Sequence, residues 1–408
     1  MKNNAEKNGY NQMPLCDSHI HIHHSDRAEL SITVDDTCTF VRNLMKYFSY
    51  DRLCIQALTP YSSGAVDFSI NAKSLYCKEK LNKQFAPESQ VYVNANLIHV
   101  FNTGLTPEDE LLKQAKEAYE AGCDGFKLLD GKPNLRKQHG YGLNDARYEK
   151  FFQYVEELQL PIVLHTGDPH EMWEKKVNSD GVLLPPQYDE TFVSMSQLRD
   201  ELEEVLIKHP KLKLIIAHFY FWAAELDMLG AFLDRHPTVC FDIVPAGEEY
   251  FDLNKNITAA REFFIKYSDR ILFGSDSNNW HWGEDLEQYK HNFSYPINLA
   301  RDFLEAKAPF HFVDDDREEI FPLQLEEKYL KKIYHDNFVR LYGEKPRAVV
   351  KEKVLDMLKA LYPIYKDPST IVFPDRKKFG GIEFTSLASR DVNLKNLNIM
   401  LQFFKSEI

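Results

Sequence analysis

The sequence predicts an α/β protein, a (β/α)8 TIM barrel followed by a C-terminal extension. Eight short apolar segments rich in Val, Ile, Leu and Phe are each followed by a longer amphipathic segment. The apolar segments lack the alternation of a half-exposed strand, which is typical of parallel strands buried on both faces. The alternative is an open, doubly wound sheet, but no Gly-x-Gly-x-x-Gly motif follows the first apolar segment.

The spacing of the apolar segments leaves room for a crossover helix after each one, because a strand with its helix needs roughly 30 residues or more. Each segment is a short run of aliphatic and β-branched residues. The predicted strands are Leu15–His23, Leu53–Leu58, Val91–Ile98, Gly125–Leu129, Ile162–His165, Leu212–His218, Val239–Val244 and Ile271–Ser275.

The intervening segments have the signals that begin and end helices. Thr106 and Pro107 open one of them, acidic residues fill its first turn, and Gly122 ends it. The predicted helices are Asp35–Tyr50, Phe68–Phe85, Pro107–Ala121, Asp145–Leu158, Met195–Lys208, Ala223–Arg235, Ile257–Tyr267, Pro296–Lys307 and Leu323–Tyr342.

Three parts are expected along the chain: a polar N-terminal arm over residues 1–13, the barrel over 14–343, and an extension over 344–408. A helix over Ala348–Leu361 is expected to be broken by Pro363. The apolar segment Val392–Phe404 is expected to pack on the barrel or to join the subunits of a homodimer. The long segments after the fifth and eighth strands, His170–Phe192 and Asn278–Phe321, would cover the C-terminal mouth of the barrel.

Composition excludes several classes of protein. Of the residues, 44% are hydrophobic and 27% charged, as in ordinary globular proteins, which argues against a disordered or fibrous chain. The net charge of −13 without a basic stripe disfavours nucleic-acid and anionic-membrane partners. No apolar run is long enough to span a membrane, and the polar N-terminus does not resemble a secretory signal. The six scattered cysteines indicate reduced core thiols in a cytoplasmic protein.

Histidines and an aspartate fall at the ends of predicted strands. On the first strand, His19 and His21 lie two residues apart and therefore share one face. His165 and His218 end the fifth and sixth strands, and Asp276 follows the eighth. Two imidazoles on one face form half of a metal site, and an aspartate there can bind a metal and accept a proton. Each residue alone could be a core histidine or a capping aspartate, but their coincidence at strand ends favours a shared site.

In this order, the residues resemble the amidohydrolase superfamily. The runs Gly125–Leu128, Pro161–Gly167 and Ile333–Gly343 are similar to those of its amidohydrolase-2 branch. That branch includes metal-dependent hydrolases and the aminocarboxymuconate-semialdehyde and resorcylate decarboxylases. The resemblance implies a barrel enzyme that uses a divalent metal, often zinc, with manganese or iron as alternatives.

The resemblance also implies roles for the matched positions. It assigns His19, His21, His165 and Asp276 as metal ligands and His218 as a catalytic or ligand-supporting histidine. Asp276 is further expected to take a proton from the attacking water. His218 is expected to polarise the substrate oxygen.

Several further residues keep alternative interpretations. Lys127, at the end of the fourth strand, is either carbamylated between two metals, binds a substrate carboxylate, or only packs in the barrel. Trp222, Trp280 and Trp282 either line a pocket for a ring-shaped small molecule or close loops onto the barrel rim. Asp242 on the seventh strand is expected to be a structural hydrogen-bonding group.

Two reactions fit this pattern. The first is metal-dependent hydrolysis of an ester, lactone or amide of a small-molecule substrate. The alternative is non-oxidative decarboxylation, a lyase reaction on an aromatic or unsaturated carboxylic acid. The two share the same metal ligands, so the sequence alone does not separate them.

Overall fold

The computed structural model describes residues 10–22, 32–58, 65–99, 105–177, 183–244, 248–278, 286–312, 315–367, 386–387 and 390–407. The side chains of residues 286–295 are not among those described.

Eight parallel strands form one sheet in which neighbours in space follow the order of the chain. The strands are β1 (Leu15–Ile22), β2 (Tyr50–Ala57), β3 (Gln90–Asn96), β4 (Gly125–Gly131), β5 (Pro161–Thr166), β6 (Lys213–Ile216), β7 (Val239–Asp242) and β8 (Ile271–Leu272). The amides of Ser18 and His21 donate to the carbonyls of Phe273 and Ser277, at 3.0 and 2.8 Å. These bonds join β1 to the segment after β8, so the sheet curls into the predicted (β/α)8 barrel.

Helices alternate with the strands and continue beyond the barrel. They are α1 (Val34–Phe48), α2 (Ile70–Phe85), α3 (Pro107–Ala121), α4 (Pro133–His139), α5 (Glu149–Leu158), α6 (Met195–Lys208), α7 (Leu226–Arg235), α8 (Glu248–Asn254), α9 (Ile257–Lys266), α10 (Leu286–Glu305), α11 (Glu327–Lys331), α12 (Asn337–Tyr342), α13 (Lys351–Lys366) and α14 (Arg390–Ser406). A π-helical turn, Lys332–Asp336, joins α11 to α12.

Local signals account for the helix boundaries. The Thr106 side chain accepts a hydrogen bond from the amide of Asp109, Pro107 occupies the first turn, and Gly122 ends α3 with a φ of 104°. A Cβ at Gly122 would also collide with the Ala348 carbonyl. Glycine at this position therefore both stops the helix and admits the start of the C-terminal extension.

The structure differs from the predicted elements in several places. The seven-residue helices α4 and α8 were not predicted, because one or two turns carry too little periodicity. Helix α10 begins ten residues before the predicted Pro296. The prediction that Pro363 breaks its helix is wrong: α13 continues through it to Lys366, where the buried Tyr365 anchors the last turn.

Several strands end earlier than predicted, and two of them end before a functional candidate. Strand β6 stops at Ile216 and β8 at Leu272, so His218 and Asp276 lie beyond these strands. Both residues have a φ of 55°, in the left-handed region. His218 begins a short 3-10 turn, whereas Asp276 lies in the segment after β8 that bonds to β1.

The bottom of the barrel is filled by apolar side chains. Two small clusters of buried residues pack against α12. Cys16 and Val163 precede His19 and His165 on their strands, and Cys240 precedes Asp242, so these members lie on the N-terminal side of the site. The clusters comprise Val163, Ile215, Cys240, Leu272 and Leu341, and Cys16, Cys54, Tyr92 and Phe338. The opposite, C-terminal end of the barrel is left for polar groups.

The C-terminal extension packs on α1 and α2. Leu397, Met400 and Phe404 of α14 are fully buried, and the Tyr76 ring of α2 contacts Phe403 with centroids 4.9 Å apart. The Asn396 side-chain oxygen of α14 accepts from the Val34 amide at the start of α1. The apolar face predicted in this segment is therefore covered within the chain.

A buried polar cluster also fastens the extension to the barrel helices. The Lys73 ammonium of α2 donates to Asp67 at 2.6 Å and also contacts Asn393 of α14. The Tyr365 hydroxyl of α13 donates to the other oxygen of Asp67 at 2.8 Å. Asp67 and Lys73 are fully buried, so their charges depend on these partners.

No described helix has both the length and the apolar character needed to cross a membrane.

Replacing Tyr365 by Phe removes a hydrogen bond to a buried carboxylate. We expect the free energy of unfolding, measured by urea denaturation, to fall by about 1.5–3 kcal/mol. The matched control is Tyr362→Phe in the same helix, where the side chain is only partly buried and a change within about 0.5 kcal/mol is expected. Equal effects of the two variants would contradict the fastening role given to Tyr365.

Candidate metal centre

Three ligand atoms converge at the C-terminal end of the barrel. The Nε2 atoms of His19 and His21 are 3.1 Å apart. The Asp276 Oδ1 atom lies 3.0 Å from Nε2 of His21 and 3.7 Å from Nε2 of His19. Ligand atoms about 2.0–2.1 Å from a tetrahedral zinc ion are about 3.3 Å apart, so these spacings match such a site. The three residues form a group that can hold one metal ion.

The outer nitrogens of both histidines are hydrogen-bonded to acceptors. His19 Nδ1 lies 2.7 Å from Oδ2 of Asp242, and His21 Nδ1 lies 3.0 Å from the Gln56 carbonyl. Each Nδ1 can therefore carry the proton, and each Nε2 can then offer its lone pair to a metal ion. Two such nitrogens and a carboxylate oxygen this close to one another are stabilised by a positive charge between them. A divalent cation supplies that charge, and Asp242 is the acceptor that orients its histidine.

The backbone around the group is held by a second aspartate. Asp17 accepts hydrogen bonds from the His19 amide and from the amide and hydroxyl of Ser275, at 3.0, 3.1 and 2.6 Å. Burial raises the pKa of Asp17 to about 6, although the hydrogen bonds from Ser275 and His19 lower it. Asp17 thus joins the backbone of β1 at His19 to the segment that carries Asp276.

Gly274 allows the two segments to approach closely. A Cβ at this position would lie 3.0 Å from the His19 Cβ and 2.8 Å from a methyl group of Val244. The amide of Asp276 then donates to the His19 carbonyl at 2.8 Å. A larger residue at 274 would push Asp276 away from His19 and His21.

Lys127 adds an ammonium group to the same place. Its Nζ lies 3.1 Å from His19 Nε2, and its side chain is buried. Burial lowers the pKa of Lys127 to about 8, against the opposing attraction of Asp242 and Asp276. Without a metal ion, the ammonium donates to the His19 lone pair. Lys127 and a divalent cation therefore compete for one lone pair.

The charges of the group suit metal binding. Burial, followed by the positive charge of Lys127, lowers the pKa of His19 well below its usual value. Burial alone would raise the pKa of Asp276, but the hydrogen bond with His21 and the neighbouring histidines lower it well below its usual value. At neutral pH the site therefore offers a neutral imidazole at His19 and an anionic carboxylate at Asp276.

His165 is oriented differently from the three converging residues. Its Nε2 lies 3.0 Å from the Gly167 carbonyl and 3.2 Å from Asp168, which also forms an ion pair with Lys132. Burial and the charge of Lys132 lower the pKa of His165 to about 4. The structure thus places His165 near the group but does not bring it together with His19, His21 and Asp276.

His218 lies between His165 and the converging ligands. Its ring centroid is 4.8 Å from that of His165 and 5.8 Å from that of His19. The residue is buried in a left-handed conformation, and its amide donates to Asp242 at 2.8 Å. Its Nδ1 has no hydrogen-bond partner within the part of the chain that the structure describes. A substrate atom is a suitable partner for this buried nitrogen.

The turn around His218 is conformationally strained. Phe219, Tyr220 and Phe221 also have φ values between 46° and 61°. Non-glycine residues in this region cost on the order of 1–3 kcal/mol each and are concentrated at functional sites. The His218 ring stacks on Phe221 at 27°, which fixes its orientation.

The tryptophans predicted to contact substrate are only partly described. The Trp222 side chain is buried, its indole N–H donates to Glu225, and the Arg199 guanidinium lies 3.7 Å over its ring. These contacts close the loop after β6 onto α6. Trp280 and Trp282 lie outside the described residues.

Two polar clusters near the barrel mouth were not predicted as groups. One joins His165 to Asp168, Lys132 and Tyr188. The other joins His99, Asp130 and His139. All three of these side chains are buried. Their partners come from different strands and helices, and no local sequence pattern links them.

Comparison with known proteins adds a family match. A sequence model of the family "Amidohydrolase" matches residues 78–343, more than half of the chain. The match includes Lys127, His165, His218 and Asp276 but begins after His19 and His21. No curated protein matches the chain by sequence.

Solved structures with a similar fold have low identity to this chain. A 2,6-dihydroxybenzoate decarboxylase from Rhizobium is 14% identical with a TM-score of 0.48, over 81% of this chain and 99% of that one. A 4-oxalomesaconate hydratase from Rhodopseudomonas palustris is 15% identical with a TM-score of 0.47, over 86% and 100%. A candidate 2-pyrone-4,6-dicarboxylic acid hydrolase from Pseudomonas putida is 14% identical with a TM-score of 0.43, over 82% and 99%.

Asp242→Asn tests the orientation of His19. An amide has one acceptor oxygen, whereas Asp242 receives both the His19 imidazole and the His218 amide. We expect zinc affinity, measured by competition with a chromophoric chelator, to fall about 10–100-fold while the chain stays folded. The control is Asp234→Asn on the exposed side of α7, with no change expected. An affinity of Asp242→Asn within twofold of the parent would contradict this role.

Proposed function

The chain belongs to the amidohydrolase family, and we propose that it is a metal-dependent hydrolase. Its substrate would be an ester, lactone or amide of a small molecule. The proposal depends chiefly on one observation: two imidazole nitrogens and a carboxylate oxygen face one another at 3.0–3.7 Å.

We assign His19, His21 and Asp276 as the ligands of a divalent cation, with zinc as the ion of choice. Imidazole nitrogens with a carboxylate oxygen are common ligands of zinc, and manganese or iron also accepts them. When bound, such an ion supplies Lewis-acid chemistry and an activated water. His165 would complete the ligand set only after its ring turns from Asp168, so we place it as an additional ligand or as a support for His218.

Asp276 is suited to move a proton. Its side chain is 36% exposed, whereas that of His19 is fully buried, so one carboxylate can contact both the metal group and a molecule that enters from the mouth. We propose that Asp276 accepts the proton of the attacking water. It would then deliver that proton to the leaving group.

His218 is suited to hold the substrate oxygen. Burial and repulsion from His165 lower the pKa of His218 well below its usual value, so the ring is neutral. A neutral imidazole donates from one nitrogen only. With its Nδ1 free of other described partners, His218 can donate a hydrogen bond to the oxygen on which negative charge develops.

A second candidate, non-oxidative decarboxylation, is favoured by two lysines, one within β4 rather than at its predicted end and one directly after the strand. Lys127 is buried beside His19, and Lys132, 27% exposed, lies 3.4 Å from His165. Two ammonium groups at the mouth suit a substrate that carries a carboxylate. The same residues would then hold the acid while carbon dioxide leaves, and Lys127 would act as a substrate contact rather than as a carbamate.

The cysteines support a cytoplasmic location. All six are free and buried. Reduced thiols persist in the cytosol, where disulfides are rare.

His19→Ala is expected to remove the bound metal, because it deletes one of two converging nitrogens. Metal content would be measured by mass spectrometry after purification and after reconstitution with zinc. His311→Ala, an exposed histidine outside the site, is the control and should retain the metal. Stoichiometric metal at the centre in His19→Ala would contradict the assignment.

Asp276→Asn is expected to lower turnover by at least about 100-fold, since an amide cannot accept the proton. The assay is a panel of esters, lactones and amides, run beside aromatic acids scored for release of carbon dioxide. If the parent protein hydrolyses compounds of the panel and Asp276→Asn does not, the first proposal is supported. Release of carbon dioxide without hydrolysis supports the decarboxylase, and activity that survives metal removal contradicts both.

A further inference from the structure

A second group of metal-ligating side chains lies near the ends of β3 and β4. His99 follows β3, Asp130 belongs to β4 and His139 is the last residue of α4. One ligand atom from each lies within 4.8 Å of the other two. The side chains are only 3%, 5% and 7% exposed. The group shares no residue with the candidate metal centre.

The backbone places each member of this group by a separate device. The pairing of β4 with β5 shifts register between Leu128 and Gly131, and such a bulge redirects the side chains around Asp130. The Gln114 side chain bonds both the amide and the carbonyl of Ile98, next to His99. Gly140, with a φ of 75°, ends α4 directly after His139.

Two tyrosines surround the group. The Tyr141 hydroxyl lies 2.9 Å from His99 Nδ1, and the Tyr148 hydroxyl donates to Asp130 Oδ1. The rings of His99 and His139 are 4.2 Å apart between centroids, and His139 also stacks on Tyr141. Hydrogen bonds to the outer nitrogen of a histidine and to a carboxylate are typical of the partners that surround metal ligands.

We propose that His99, Asp130 and His139 bind a second divalent transition-metal ion, for which zinc is the test ion. Two imidazoles and one carboxylate form a donor set that zinc and its neighbours prefer. His99 Nε2 and His139 Nε2 lie 2.7 and 4.0 Å from Asp130 Oδ1. These spacings lie on either side of the ~3.3 Å between ligands of a tetrahedral zinc ion.

The ion would have a structural role. It would join the segment after β3 to β4 and to the last turn of α4. Because the group shares no residue with the candidate metal centre, its metal binding does not depend on the proposed hydrolase or decarboxylase activity. The competing explanation is a hydrogen-bonded His99–Asp130 pair that binds no ion, and the experiment below distinguishes the two.

The test counts metal sites in the full chain. Protein stripped with a chelator is titrated with Co²⁺, followed by its visible absorption, and then with Zn²⁺ by calorimetry. We expect two equivalents in the parent protein and one in His139→Gln. His19→Ala should also bind one equivalent, and the double variant none. Circular dichroism would establish that each variant is folded.

Tyr141→Phe provides a milder variant that keeps all three ligands. Loss of its hydroxyl from His99 should weaken one of the two equivalents about 10–100-fold and leave the count at two. If His139→Gln fails to fold, this variant decides the question. The control is Tyr154→Phe on α5, which should change neither affinity.

Distinct outcomes overturn the inference. A parent protein that binds one equivalent, unchanged by His139→Gln and Tyr141→Phe, would identify the group as a hydrogen-bonded pair only. Two equivalents that both persist in His139→Gln would place the second ion elsewhere. A parent protein that binds one equivalent, lost in His139→Gln but kept in His19→Ala, would count against the proposed function and leave this inference intact.

Discussion

Two imidazole nitrogens that face each other at 3.1 Å determine the chemistry of the whole site. The acceptors behind them, Asp242 and the Gln56 carbonyl, fix the proton on the far nitrogen of each ring. Neither ring can then relieve the contact by changing its tautomer without losing a hydrogen bond. A positive charge between His19 and His21 removes the conflict, and Asp276 supplies the opposite charge that keeps such an ion in place.

The barrel determines how these groups meet. Parallel strands bring their C-terminal ends to one rim, so residues that are far apart along the chain converge there. At His218 and Asp276, however, the strands have already ended, and the left-handed backbone conformation of each residue determines the direction of its side chain. The apolar clusters toward the other end of the barrel supply the stability that offsets this local strain.

Much of this arrangement could be predicted from sequence. The apolar segments, which lack alternation and are separated by amphipathic ones, predict the barrel. Burial on both faces makes nearly every residue of such a strand apolar, and this is visible in the sequence. The alternation along β1 placed His19 and His21 on one face, since side-chain direction in a strand depends only on sequence spacing. The ends of α3 at Thr106 and Gly122 could also be predicted, because they depend on residues close together in the sequence.

The remaining features depend on contacts between distant segments. The orientation of His165 is set by Asp168 and Lys132. The position of His165 in the sequence does not indicate these contacts. The sequence does not indicate that His99 and His139 meet Asp130, because the register shift in β4 and the end of α4 bring them together in a buried cluster. Helix α13 continues through Pro363, where the sequence predicts that it breaks. The Tyr365 hydroxyl donates to Asp67 and holds the turn that follows.

Anomalous diffraction at the zinc edge, from crystals of the zinc-loaded protein, would locate the ion relative to the three ligand groups. We expect a peak about 2.0–2.3 Å from the Nε2 atoms of His19 and His21 and from a carboxylate oxygen of Asp276. Density that shows these three groups without a peak between them, or the two imidazoles turned apart, would contradict this assignment of ligands.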